Sequence, residues 1–281
     1  MSSVESTKLS YAQIDAILSH WRQGDCALNN QYFLHVFDSE NPISQEALAL
    51  DEKNYIVEYN VKGLVIVSQT CDIVRPCKKR HFIEVAPLIE VNPKMWHEIS
   101  RGRRPAFAFI PSLKEKNLVA DLDRFMTVEK PVVAKWKRTP GCSTDEEIRN
   151  FSDALKRKHG RFPFPDEMKE CVEGLENLIH EKHDRESPEG NALRSLREVR
   201  IHPVNGWQSL PTGLFFWFIK KDGVGSSNTS YDQFLEKWLN YLNKTEIFPE
   251  ISGVVTSLED MTAKDYIESD RLDLDHLSTR L

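Results

Sequence analysis

The feature that most constrains this chain is the run Leu64-Val65-Ile66-Val67, bounded in front by Gly63 and followed by five polar residues, Ser68-Gln69-Thr70-Cys71-Asp72. Four aliphatic residues without alternation are the pattern of a strand covered on both faces. A chain that contains such a strand must supply two layers to cover it. With 281 residues it can do so without disulfide staples. Apolar residues make up 40% and charged residues 28%, the balance of a folded globular protein.

Further strands are expected at Cys26-Ala27-Leu28, Phe82 to Leu88, Ala106 to Ile110, Leu118 to Asp121, Pro131 to Trp136, Leu196 to His202 and Leu214 to Lys220. Helical spacing marks Tyr11 to Trp21, Thr144 to His159, Asp166 to Lys182 and the stripe Tyr231, Phe234, Trp238 and Leu242. Ser143 or Thr144 ahead of Glu146 and Glu147 reads as a helix start. Residues 184–191 read as a polar loop. The reading is an α+β protein: a β-rich core begins in residues 1–142, a helical insertion fills 143–192, and 193–281 complete the core and add a C-terminal helix and acidic tail. The end of that tail, with Leu272-Asp273-Leu274-Asp275, suits an edge strand, a docking tail for a basic partner, or a tail folded onto its own chain.

No apolar run reaches the length that crosses a bilayer, and Met1-Ser2-Ser3-Val4-Glu5 lacks the basic and apolar regions of a secretory signal. Five scattered cysteines, Cys26, Cys71, Cys77, Cys142 and Cys171, do not form a disulfide framework. A cytoplasmic protein with no membrane partner and no cofactor is expected. The net charge of −6 argues against general attraction to nucleic acid, but basic residues cluster locally.

The polar residues after the aliphatic run are the first candidate site, because a rigid strand end presents side chains to substrate. Ser68, Thr70 and Cys71 are candidate nucleophiles, and Asp72 is a candidate base or cation ligand. The same residues also suit a strand leaving the core, with Cys71 as a filler and Asp72 capping a turn. Cys71, Cys77 and His81 invite a zinc reading, although their spacing is wider than structural zinc sites use. Asp72 with Glu84 makes a carboxylate pair, but Val85 and Ala86 follow where a metal-dependent nuclease core carries a lysine. A second candidate set is basic: Arg157, Lys158 and Arg161 beside Phe162, and Arg197, Arg200 and His202 along a strand. Arginine with neighbouring aromatics suits phosphate contact and base stacking, while basic residues at a helix end also complement its dipole.

A helix, then Gln23-Gly24-Asp25, then Gly63 to Ser68, then Phe82 to Pro87 resembles the order found in PemK/MazF-like toxins over residues 20–90. The resemblance implies an SH3-like small barrel, metal-independent RNA cleavage and a catalytic hydroxyl at Ser68 or Thr70. Val61-Lys62 stands where those toxins carry Arg-Pro. The functional expectation is a bacterial, nucleic-acid-acting protein, with RNA favoured over DNA, serving as an endoribonuclease-like toxin or antiviral defence effector. The alternative is a non-catalytic accessory or sensor subunit with a protein partner, for which Trp207, Trp217 and Trp238 are candidate anchors, with Trp217 and Trp238 read in preference as core residues.

Overall fold

The computed structural model describes residues 9–38, 40, 41, 43–49, 56–221 and 231–273. The chain is of the α+β class and divides into two compact units between His159 and Gly160, with Arg101–Arg103 counted in the second.

The first unit opens with α1, Tyr11–Leu18, whose start is fixed by a reciprocal cap: Ser10 accepts from the Gln13 N–H, and the Gln13 side chain accepts from the Ser10 N–H. There follow β1 (Cys26–Val36), α2 (Gln45–Leu48), β2 (Ile56–Ile66), α3 (Thr70–Ile73), β3 (Phe82–Glu90), α4 (Pro93–Ser100) and β4 (Phe107–Phe109). A 3₁₀ turn, Pro111–Lys116, leads to β5 (Leu118–Asp121), β6 (Met126–Glu129), α5 (Lys130–Val133), β7 (Arg138–Thr139) and α6 (Asp145–His159). The sheet runs β4-β5-β3-β2-β1-β7, with β6 also paired to β3. Its pairings are antiparallel, and β3 shares its length between β6, β2 and β5.

The aliphatic run behaves as its composition requires. Leu64 and Ile66 enter one apolar cluster with Leu18, Trp21, Phe33, Ile73 and Val133. Val65 and Val67 enter another with Ala86, Leu88, Ile110 and Phe151. Alternate residues of one strand therefore serve two cores. Gly63 lies at a tight approach of β1 to β2, since a Cβ there would stand 2.6 Å from the Ala27 carbonyl oxygen.

The second unit contains α7 (Met168–Lys182), α8 (Pro188–Arg194), β8 (Leu196–Pro203), β9 (Leu214–Lys220), α9 (Tyr231–Asn240), β10 (Ile251–Thr256), α10 (Ala263–Glu268) and β11 (Asp270–Leu272). Its sheet runs β10-β9-β8-β11, and β9 and β10 are parallel. A single core joins Leu175, Ile179, Leu193, Val199, Phe216, Phe218, Trp238 and Phe248.

Several expectations are corrected. Both sheets are open in their pairings among the described residues, so these ladders do not make the expected small barrel. Residues 143–192 are not one insertion: α6 packs Phe151 into the first unit, whereas α7 and α8 pack into the second. Strands after residue 193 build their own sheet instead of completing the first, because their inward faces meet α7, α8 and α9. Pro131 to Trp136 is not a strand, since Pro131 falls in the first turn of α5, where its fixed φ favours helix. Part of the polar stretch 184–191 is helical: Ser187 accepts from the Gly190 N–H and Pro188 opens α8. Three strands that the sequence pattern hides, β6, β7 and β10, also appear. Of the C-terminal run, Asp270–Leu272 is an edge strand on β8, and Leu274 and Asp275 lie outside the described residues.

Candidate functional site

The end of β2 is tied down from two sides. The Gly24 N–H donates to Ile66 O at 2.9 Å and the Ile66 N–H to Asp25 O at 2.8 Å, so the Gly-Asp turn pairs with the strand end. On the other side the Val67 N–H donates to Glu84 O at 3.0 Å, and Ser68 Oγ accepts from the Glu84 N–H at 2.8 Å. Gln23 then reaches across: its side-chain amide donates to Val67 O at 2.7 Å, and its backbone N–H donates to Thr70 Oγ1 at 3.1 Å. Ser68 and Thr70 are therefore brought together at the strand end, each hydroxyl serving as an acceptor for main chain. Asp25 is buried and structural: its carboxylate accepts from the Arg22 N–H at 2.7 Å and from Arg138 Nε at 2.6 Å. Gly24 holds φ +88°, and a Cβ there would stand 3.1 Å from Cys142 Sγ.

Beyond Thr70 the chain makes one turn of helix, α3, anchored by the fully buried Ile73. Cys71 is exposed, with its thiol 3.6 Å from Gln69 Oε1. Asp72 Oδ1 lies 3.5 Å from Arg75 Nη1 and 3.8 Å from Arg80 Nε. The segment that follows carries Arg75, Lys78, Lys79, Arg80 and His81, all exposed. His81 Nδ1 is 2.7 Å from Cys77 O; a carbonyl only accepts, so Nδ1 carries the proton. Two exposed aromatics border this basic turn: Phe82, met edge-on by His81, and Tyr11, with Lys78 Nζ 4.8 Å from its ring centre.

Beneath the turn lie Lys130 and Asp15. Lys130, the first residue of α5, is fully buried and donates to Asp72 O at 2.9 Å and Arg75 O at 2.5 Å. Burial pulls its pKa below the ordinary lysine value, against the opposing fields of Asp15, Cys77 and Asp72. Asp15 Oδ1 accepts from the Cys77 N–H at 2.7 Å. Cys77 is buried, and burial followed by Asp15 raises its thiol pKa. Cys71, Cys77 and His81 do not converge: among the described residues no group of three His, Cys, Asp or Glu side chains is placed to hold a metal ion.

The second basic set is divided between the units. Arg157 and Lys158 lie in the last turn of α6 in the first unit, where Lys158 pairs with Asp123. Arg161 lies in the second unit, 3.2 Å from Asp273 Oδ2. Arg197 is exposed on β8. Arg200 donates to both oxygens of Ser269, lies 3.7 Å from Glu198 Oε1 and stacks over the Tyr266 ring at 4.1 Å. His202 Nδ1 is 3.0 Å from Glu268 O. Lys158, Arg161, Arg200 and His202 thus already serve the fold. Trp238 is core, and Trp207 Nε1 donates to Asp270 at 2.7 Å.

Sequence reasoning missed Arg75 and Arg80 as partners of Asp72, and missed Lys130 altogether. The spacing of Asp72 and Arg75 on one helical turn was a legible signal. No helix among the described residues is long and apolar enough to cross a membrane. Comparison of the sequence with protein-family models and with curated proteins returns no match.

Proposed function

We propose that the first unit is the core of an RNA-directed endonuclease, acting in the cytoplasm as a toxin or defence effector in the manner of the PemK/MazF-like proteins it resembles. The observation that carries this reading is a half-buried carboxylate, Asp72, flanked by two guanidinium groups at the end of a strand buried on both faces. A phosphodiester presents oxygens that match Arg75 and Arg80. Once those arginines turn to the phosphate, Asp72 is left to take a proton.

The preference for RNA over DNA has a chemical reason. Ser68 and Thr70 hold main-chain N–H groups, so neither is set up as a nucleophile. RNA supplies its own in the ribose 2′-hydroxyl. In the step we assign, Asp72 takes the 2′ proton and the 2′ oxygen bonds to phosphorus. The bond from phosphorus to the 5′ oxygen breaks, and that oxygen takes a proton from water. The products are a 2′,3′-cyclic phosphate and a 5′-hydroxyl end. Ser68 and Thr70 act by holding the strand end.

The test is incubation of the protein with mixed single-stranded RNA and DNA, with and without EDTA, beside Asp72→Ala. Cleavage of RNA alone, indifferent to EDTA and reduced by about a hundredfold or more in the variant with unchanged circular dichroism, is expected. Cleavage abolished by EDTA moves the chemistry to a bound cation.

A second reading, a non-catalytic accessory or sensor subunit, draws on a different observation. Tyr32, Leu34 and Val36 alternate along β1 and are 63%, 44% and 76% exposed. Such a strip suits a protein partner. Absence of cleavage, together with a stable complex that survives Asp72→Ala, favours this reading.

A further inference from the structure

Lys130 is the one fully buried lysine or arginine among the described residues. Burying an ammonium group costs several kcal/mol unless its protons are taken up, and an apolar side chain of the same length fills such a space more cheaply. What Lys130 does there is specific. Its ammonium donates to Asp72 O and Arg75 O, and its backbone N–H donates to His81 O at 2.9 Å. Asp15 adds a fourth attachment at the Cys77 N–H. The stretch from Asp72 to His81 is therefore fastened at residues 72, 75, 77 and 81, every time through its main chain. Its charged side chains are left for other work.

We propose that Lys130 is the positioning residue of the candidate site, holding the carbonyls of Asp72 and Arg75 so that the carboxylate and the two guanidinium groups keep a fixed spacing for a phosphodiester. Lys130 touches no substrate. The consequence for chemistry rests on the endonuclease reading, whereas the fastening of the turn does not. The charged and titratable groups around the amine are Asp15 from α1, Asp72 from α3, and Cys77 and Arg80 from the turn. Two of these are carboxylates, which offset the burial of one positive charge; a neutral replacement removes that offset, leaving Asp72 its contacts with Arg75 and Arg80 and Asp15 the Cys77 N–H. Lys130→Met keeps the length and burial of the side chain but removes its donors. Lys130→Arg restores donors.

The experiment measures amide hydrogen exchange of residues 72–81 and steady-state cleavage of single-stranded RNA by the full chain and both variants. Exchange in 72–81 is expected to rise about tenfold or more in Lys130→Met while β3 and the second unit keep wild-type protection. The same variant is expected to lose about tenfold in kcat with KM within about threefold, because the exposed lysines still attract phosphate. Lys130→Arg recovers part of both. Unchanged exchange in 72–81 of a folded Lys130→Met protein overturns the proposal. If that variant does not fold, the wild type decides: exchange of 72–81 as slow as that of β3 upholds the fastening, and the fast exchange of an open loop overturns it. An exchange response in a protein that cleaves no RNA retires the endonuclease reading and leaves the role of Lys130 in the turn standing.

Discussion

Asp184 and His183 show how one contact treats its two partners differently. The carboxylate accepts from Arg103 Nη2 at 2.8 Å on both oxygens and is 2.9 Å from His183 Nδ1. Burial pushes the Asp184 pKa up, but the hydrogen bonds from His183 and Arg103 outweigh it and hold the group at about 2, below its ordinary 3.8. His183, 2% exposed, has its pKa lowered, because burial opposes its charged form more than Asp184 favours it. A neutral ring still donates Nδ1–H, so the ionic part of the stabilisation comes from Arg103. The unfolded carboxyl takes up its proton before the folded one does. The contribution is therefore complete above pH 3.8 and is lost as pH falls toward 2. The Asp184 side chain is 52% exposed, which screens the pair and limits its worth to under about 1 kcal/mol. Asp184→Asn should lower the urea midpoint at neutral pH, and the gap from wild type should close by the acid end of that window.

At the scale of elements, the long β1–β2 ladder depends on one close approach. Opposite Gly63 the ladder shifts register between Leu28 and Gln31, and Asn29 takes φ 79° to make the bulge. Gly63→Ala places a Cβ 2.6 Å from Ala27 O and 3.0 Å from Leu88 Cδ1. Main chain on one side and core on the other leave little room to relax, so a loss of about 1–3 kcal/mol is expected. A lower urea midpoint at unchanged m-value would register it. The same ladder shows why some strands were legible and others not. Leu64 to Val67 declares itself by composition, and so does Phe82 to Leu88. The polar Asn29-Asn30-Gln31 hides the continuation of β1 to Val36, which forms because β2 pairs with it. In β10, Gly253 interrupts the pattern, yet its Cβ position would meet Phe216 O at 2.5 Å, so the parallel pairing with β9 itself requires a glycine. Lys130, between Glu129 and Pro131, looks like any surface lysine in sequence; residues 55 and 58 positions earlier make it a buried donor.

At the scale of the whole molecule, two units with separate apolar cores should unfold separately. Phe218 is fully buried against Trp238 in the second unit, with ring centres 5.2 Å apart. Phe218→Ala should cost about 3–5 kcal/mol. Scanning calorimetry of the full chain should show one transition lowered and the other unmoved; equal lowering of both would join the units into one cooperative body. The division at residue 160 was not legible: Gly160, Pro163 and Pro165 mark the end of one helix, but a break between two amphipathic helices does not say that they cover different cores. Which core each helix covers is decided by strands far away in the chain. The mixed α+β class and the place of the strand end were legible, since both follow from local pattern. The five cysteines, finally, are sorted by their surroundings. Cys26, Cys77 and Cys171 are buried and Cys142 half-buried, and burial raises all four thiol pKa values, to about 12 for Cys142 and about 11 for Cys171. Cys71 alone is exposed, one residue before Asp72. A maleimide dye added to the unmodified protein therefore has one open address, beside Asp72, and under the proposed endonuclease reading its fluorescence should change when RNA is added.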